Sequence, residues 1–412
     1  MTSPLLRDRE FRALLLLRHT FSLSGSAFVT IVGFQTYQLT GDPLALGMLG
    51  LVEAIPALSL MLFGGHIADR HDRRSIILVT SIVATLCAAT LAALTAHGSI
   101  ALPAILTVIF IAGVASGFER PAVSAFEAQV IPREEAVRGV SYVSTASQAG
   151  SILGPAIGGL AASIVGIAAT YAMLAVVLAI STGSILLIAR KPMPERVEGE
   201  RLVTSLLEGW RYVRRTPALL GSMGLDLFAV FFGGAIALLP VFATDILHVG
   251  AAGLGILRTV PSVGALLAML LATRYPPTRH AGATLLLCVT GFGVSMIVFG
   301  LSTAFWLSLL ALFFSGLTDG VSVVIRATVL RVLSPERLRG RVASVNWVFV
   351  GASNELGAFE SGVVARLFGT VPAVVGGAVL TLGVVALVAV TMPSLRALDL
   401  ATAEPDESWA TA

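Results

Sequence analysis

Several ionisable side chains lie inside long apolar runs of this sequence, where a charge could bind or carry something. Glu53, Asp226 and Arg258 fall deep within such runs, and Arg18, Glu119, Arg120, Asp319, Arg326 and Glu355 fall in others. In a membrane helix a charge near mid-depth costs about 2.5 to 3.5 kcal/mol on insertion scales, so its retention points to a function. Carboxylates in such surroundings can change protonation near neutral pH and couple proton entry to the exit of a second solute. By depth, Glu53 and Asp226 are the first candidates for that role. Glu119 and Asp319 follow, although neighbouring arginines make structural ion pairs an equal reading for both. Arg18, Arg120, Arg258, Arg326 and Glu355 are candidates for lining a substrate cavity. Asp319 and Arg326 share a helix face two turns apart, with Ser315 and Ser322 on the same stripe. Ser116, Glu119, Arg120 and Ser124 form a comparable polar stretch. Glu355 and Glu360 are separated by about 140° around a helix and cannot face one cavity, and Glu127 reads as a solvated residue near a span end. Phe28, Phe34, Tyr37, Phe231, Phe232, Phe349 and Phe359 could wall an apolar substrate, with core or lipid packing the commoner use of each. Other chemistry is absent: there is no H-E-x-x-H, G-x-S-x-G or G-x-x-x-x-G-K-[ST] pattern, and the chain has only 6 His. Neither an enzyme nor a cofactor or metal site is expected, and Cys87 and Cys288 read as small core residues.

The elements that must position these groups follow from composition. Of 412 residues, 56% are hydrophobic and 12% charged, against roughly 25% charged in a soluble domain. About 20 apolar residues cross a bilayer. Spans are therefore expected near 13–38, 44–65, 75–96, 102–124, 138–162 and 166–189, then 218–243, 250–273, 281–302, 304–329, 341–367 and 371–392. The start, MTSPLLRDREFRALLLLRHTF, mixes acids with arginines and has no A-x-A-like site, so it reads as a retained first span. Arg18, Arg120, Arg258, Arg326 and Arg366 fall within spans, and every other Lys and Arg falls in segments on one side. That asymmetry places both termini in the cytoplasm, in a multi-pass protein of the cytoplasmic (cell inner) membrane. The net charge of +3 is thus sidedness and not a nucleic-acid surface.

The chain repeats itself. FQT at 34–36 matches FAT at 242–244, GLVEAIP at 50–56 matches GILRTVP at 255–261, the segment ending at Pro132 matches that ending at Pro335, and GPAIGG at 154–159 falls opposite GAFESG at 357–362. A duplicated six-helix unit is a transporter architecture with its substrate site near mid-membrane at the repeat interface. The expected division is an N-terminal six-helix bundle over 1–189, a cytoplasmic linker over 190–216 and a C-terminal bundle over 217–412 with a short tail. In this register Glu53 corresponds to Arg258 and Arg18 to Asp226, opposite charges at related places. Chance is one account of this; the other is that the bundles carry complementary charges toward a shared interface, not necessarily as direct pairs. Gly150, Gly154 and Gly158 recur every four residues and form one smooth helix face. Ordinary close packing and a sliding face that repacks during transport, softened by Pro155, explain that face equally.

The loop GGHIADRHDRRSIIL after the second span resembles the G-x-L-A-D-R-x-G-R-[KR] signature of the major facilitator superfamily, with Gly65, Ala68, Asp69, Arg70, Arg73 and Arg74 matching and Asp72 standing where glycine is usual. GSILGPAIGG resembles the superfamily's G-x-x-x-G-P-x-x-G-G antiporter motif, matched by Gly150, Gly154, Pro155, Gly158 and Gly159. GFERPAVSAFEAQVIPREEAV, FRALLLLR and MPSLRALDL are similar to the drug/proton antiporter-like branch that includes macrolide efflux pumps and the enterobactin exporter. The resemblance implies an all-α membrane fold of twelve transmembrane helices in two pseudo-symmetric bundles, with spans 1, 4, 7 and 10 lining the cavity. It also implies a cytoplasmic gate in which Asp69 and Arg73 make ion pairs or helix-end contacts. The expected activity is proton-coupled export of a small amphiphilic molecule, drug-like or siderophore-like, by a monomer. An uncoupled facilitator or importer is the alternative, and an intramembrane receptor or enzyme lacks supporting motifs.

Overall fold

Aspartates open several of the helices. Asp8 accepts from the Glu10 amide at 3.0 Å, Asp42 from Leu44 at 2.9 Å and Asp72 from Arg74 at 3.2 Å, each satisfying an amide that a helix start leaves unpaired. Asp72, the departure from the loop signature, is therefore the cap of the following helix. A computed structural model describes residues 4–192, 202–233 and 235–403. Among them every regular element is helical: α1 (Arg9–Thr40), α2 (Pro43–Ala68), α3 (Arg73–Ala96), α4 (Leu102–Val130), α5 (Ala136–Val165), α6 (Ile167–Leu186), α7 (Leu202–Arg215), α8 (Pro217–Phe232), α9 (Ala235–Val241), α10 (Gly250–Arg274), α11 (Ala281–Leu301), α12 (Phe305–Leu333), α13 (Arg339–Phe368), α14 (Thr370–Thr391) and the short α15 (Pro393–Arg396).

Eleven stretches among the described residues are long and apolar enough to cross a membrane. The twelfth crossing is α13, which has 30 residues but carries Arg339, Arg341, Glu355, Glu360 and Arg366. The duplication is visible in the backbone. Helices α4 and α12 have 29 residues each, and α5 and α13 have 30 each. A 3-10 turn follows both Pro132 and Pro335. Gly166 and Gly369 join the next helix pairs with φ of 85° and 95°, a conformation that glycine adopts at no steric cost.

The seventh expected span, 218–243, is not one continuous helix. It stops at Phe232, resumes at Ala235 and ends in a π-helical stretch, Phe242–Ile246. Gly233 lowers helix propensity at the break, and Pro240 lacks the amide a regular helix needs, which favours a local π adjustment. The expected linker also differs from a polar tether. Its residues 193–201 lie outside the described residues, but Leu202–Arg215 form α7, because apolar side chains recur there at three- and four-residue spacing. The tail beyond residue 403 is likewise outside the described residues.

The described residues pack into two compact units. The first holds those up to 196 together with Leu239–Thr259, and the second holds those from 197 to Leu238 and from Val260 onward. Within the first unit α1 packs on α5, α2 on α4 and α3 on α6. Within the second, α11 packs on α12 and α14, and α13 packs on α8 and α7.

Candidate functional site

Asp226, Asp319 and Arg326 of the second unit form one cluster. Helix α8 carries Asp226, only 6% exposed, and its end is fixed because Gly357 of α13 and Gly377 of α14 lie against the backbone of Phe231 and Phe232, where any side chain would collide. Arg326 of α12 forms an ion pair with Asp226 and also reaches Asp319, two turns back, at 3.5 Å. The shared face expected for Asp319 and Arg326 is present, and Ser315 and Ser322 are buried beside it. One guanidinium thus serves two carboxylates. Asp226 is held in a buried pair, while the Asp319 side chain is 47% exposed and loosely held.

In the first unit the charges expected inside spans form two groups. Arg18 pairs with Glu127 at 2.9 Å without hydrogen-bond alignment and reaches Ser147 Oγ at 3.4 Å. Glu127 is therefore not a freely solvated carboxylate: α4 runs on to Val130, beyond the expected span end at 124, and carries it beside α1. Glu119, 8% exposed, lies within the electrostatic reach of Arg18 and then Arg120. The second group gathers Glu53, Arg120 and Arg258. Gly113 lets α4 lie directly on the Glu53 carbonyl and on Pro56, which fixes Glu53 on α2. Both Arg120 and Arg258 act on its charge, yet neither comes within the 4.0 Å of an ion pair. Arg258 donates instead to Thr30 Oγ1 at 3.4 Å. Of the two charge inversions in the repeat, Glu53 and Arg258 do share a cluster. Arg18 and Asp226 instead take separate partners, Glu127 and Arg326.

The signature loop is tied down at several points. Arg73 pairs with Asp69 at 3.7 Å and donates to the carbonyls of Ala68 at 3.1 Å and Ala125 at 3.3 Å. Arg74 donates to the carbonyls of Ile185 and Leu186 at the end of α6, where a helix terminus favours a cation. Arg70 is exposed and Gly65 has open space beside it. Gly150, Gly154 and Gly158 all press against α1, at His19 to Leu23, Leu23 to Ala27 and Ala27 respectively. Gly159 faces elsewhere: with the Pro155 carbonyl it meets Ala251 and Gly255 of α10, and an added Cβ at Gly159 or Gly255 would strike backbone. Glu355 is partly buried on α13. Among the aromatics, Phe28 packs on Tyr171 with centroids 5.9 Å apart and Phe349 on Trp210 at 5.6 Å.

Sequence reasoning also missed a contact at the end of α1. Tyr37, near the end of α1, donates a hydrogen bond to Asp245 in the π-helical stretch. Asp245 reads as a loop residue in TDILHVG, and only Pro240 five residues earlier hints that the helix continues through it.

A profile described as Major Facilitator Superfamily matches residues 14–358. The Enterobactin exporter EntS of Escherichia coli O81 (strain ED1a) is 25% identical over 336 residues, covering 81% of this chain and 79% of that protein. The Enterobactin exporter EntS of Shigella boydii serotype 18 (strain CDC 3083-94 / BS512) matches with the same identity and coverage. Among solved structures, a bacterial homolog to the human lysosomal transporter Spinster, inward-facing and unoccupied, superposes with a TM-score of 0.74 at 14% identity, covering 96% of this chain and 97% of that one. The nucleoside transporter NupG gives 0.72 at 14% identity, covering 94% and 98%. These structures share the fold. Twelve membrane-crossing helices in a duplicated arrangement, buried charge clusters and the profile match together show that the chain is a transporter belonging to the Major Facilitator Superfamily.

Proposed function

We propose that this protein is a secondary exporter that moves a small amphiphilic molecule out of the cytoplasm by alternating access driven by proton entry. It sits in the cytoplasmic membrane with both termini inside and works as a monomer. The observation that carries the coupling is the cluster in which Arg326 serves both Asp226 and Asp319. A proton from water binds a carboxylate oxygen of Asp319, the weaker of the two contacts is lost, and Arg326 keeps Asp226 as its counter-ion. That ordering moves Asp319 ahead of Asp226 as the coupling carboxylate. Glu53, and after it Glu119, remain the candidates in the first unit.

Supporting the export direction are the relatives named as enterobactin exporters and the matched glycine–proline motif of α5. The bundles at 1–189 and 217–412 are the moving parts. The signature loop is the cytoplasmic gate, where the Asp69–Arg73 pair breaks and reforms, with Gly65, Arg70 and Arg74 completing it. Gly159 and Pro155 form the contact that repacks, while Gly150, Gly154 and Gly158 hold α5 to α1.

The test begins with ethidium, erythromycin and enterobactin as stabilising ligands of the purified protein. Whichever raises its melting temperature is then followed into inverted membrane vesicles. Uptake should accelerate when the vesicle interior is acid, and Asp319→Asn should bind the compound but lose that acceleration. Uptake indifferent to the gradient would remove proton coupling. Normal transport with an unchanged pH profile in Asp319→Asn, Glu53→Gln and Asp226→Asn would remove these carboxylates from the mechanism.

A further inference from the structure

The buried charges divide by whether the protein itself closes them. Arg326 is closed by Asp226 and Asp319, and Arg18 by Glu127 with Glu119 nearby. The Arg326 group sets two carboxylates against one guanidinium, and in the Arg18 group Glu119 is also within reach of Arg120. In the Glu53 group no pair closes to 4.0 Å, and Arg120 is shared with Glu119. Arg258 is the sharpest case. Its side chain is partly buried in the first unit, the Glu53 charge acts on it, and its contact with a fixed partner is the 3.4 Å bond to Thr30 Oγ1. Thr30 is itself fully buried and spends its own proton on the Ser26 carbonyl at 2.7 Å, so its oxygen is turned as an acceptor toward Arg258. A guanidinium offers five N–H donors in a planar fork that matches carboxylate and phosphate geometry. Leaving most of them unmet inside a membrane protein is costly unless a ligand or water meets them.

Helix geometry places Thr30, Glu53 and Arg258 at one depth. At 1.5 Å per residue, Thr30 lies about 15 Å from the Thr40 end of α1, Glu53 about 15 Å from the Pro43 end of α2, and Arg258 about 12 Å from the Gly250 end of α10. Arg120 stands seven residues beyond Gly113, the α4 position that touches Glu53, and is exposed. Glu53 and Arg258 are themselves only partly buried, so the group opens on one side, and charges so grouped face water and not lipid.

We propose that Arg258 forms a subsite for an anionic group of the transported molecule, such as a carboxylate or an acidic phenol, and that Glu53 is the internal counter-ion this group displaces. The proposal names a substrate class for the export pathway above and rests on that reading only for transport. Binding in detergent requires neither a gradient nor a direction, so failure here leaves the coupling test intact, and failure of coupling leaves this one intact.

The experiment titrates the purified full chain calorimetrically with 1-naphthoate, 1-naphthamide and (1-naphthylmethyl)trimethylammonium, which share one ring and differ in charge. Naphthoate should bind about tenfold more tightly than the amide, the difference expected when a charged hydrogen bond is gained, and the cation should bind least. Arg258→Gln should abolish the preference for the anion and Arg258→Lys should keep part of it. Glu53→Gln should strengthen naphthoate binding by removing its competitor, while Arg279→Gln, exposed ahead of α11, should change nothing. The subsite is overturned by equal binding of naphthoate and naphthamide, by undetectable naphthoate binding, or by an unchanged preference in Arg258→Gln. Where Arg258→Gln fails to fold, Glu53→Gln decides, and naphthoate binding that is unchanged or weaker in it overturns the proposal.

Discussion

Arg326 holds two acids, so its loss costs more than a single interaction. Arg326→Gln leaves Asp226 buried without a counter-ion, and breaking a buried pair from one side costs about 3 to 5 kcal/mol. Thermal unfolding in detergent should show a large fall for Arg326→Gln and substantial recovery in the Asp226→Asn/Arg326→Gln double variant. Equal melting of the single and double variants would mean that the pair is not the reason for the loss. At this scale the sequence revealed which residues matter but not always who meets whom. Asp319 and Arg326 were legible as neighbours because their spacing lies within one helix. Asp226 with Arg326 and Arg18 with Glu127 were not, because each pair joins separate helices whose rotation about their axes is set by packing. Glu127 was misread for a related reason: hydropathy falls away before α4 ends, so a carboxylate inside the helix looked like one outside it.

Between elements, the closest approaches depend on missing side chains. Gly159 of α5 and Gly255 of α10 meet backbone to backbone, and backbone cannot swing aside as a flexible side chain can. Gly255→Val should therefore cost about 1 to 3 kcal/mol through overpacking, measured as a lower melting temperature. At Gly65, with open space beside it, Gly65→Ala should melt like the parent. The Tyr37–Asp245 bond ties α1 to the π-helical stretch, and Tyr37→Phe removes it while keeping the ring. A cysteine introduced at His248 should then be alkylated faster than in the parent; an unchanged rate would show that the bond holds nothing in place. The GPAIGG motif was legible as a close-packing face, but its division of labour was not. Gly158 and Gly159 are adjacent in sequence and point to different neighbours, α1 and α10, which only the assembled helices decide. Helix α7 was hidden inside a polar interval, although its anchors are clear in the fold: Tyr212 donates to the Leu333 carbonyl at 2.5 Å and Glu208 pairs with Arg341.

Over the whole molecule, duplication and span count were the most legible features, because hydropathy and the side of the membrane bearing Lys and Arg act over long stretches and tolerate local exceptions. The matched helix lengths of α4 with α12 and α5 with α13 follow the same register as the sequence repeat. The break at Gly233 was less legible, since one apolar run covers both α8 and α9. How the chain is shared between its compact units lay beyond the sequence. The first unit includes Leu239–Thr259, so the chain leaves it, contributes the described residues between 202 and 238 to the second unit, returns, and leaves again. No single cut can yield two fragments that each contain one whole unit. During synthesis, the first unit stays incomplete until residue 259 has emerged, by which time part of the second is already made. Arrested chains ending at residue 196 should be cleaved readily by added protease within α5, whereas chains long enough to insert residues 239–259 should resist. The order in which this protein becomes protease-resistant is thus set by a return crossing, and not by the order in which its helices are made.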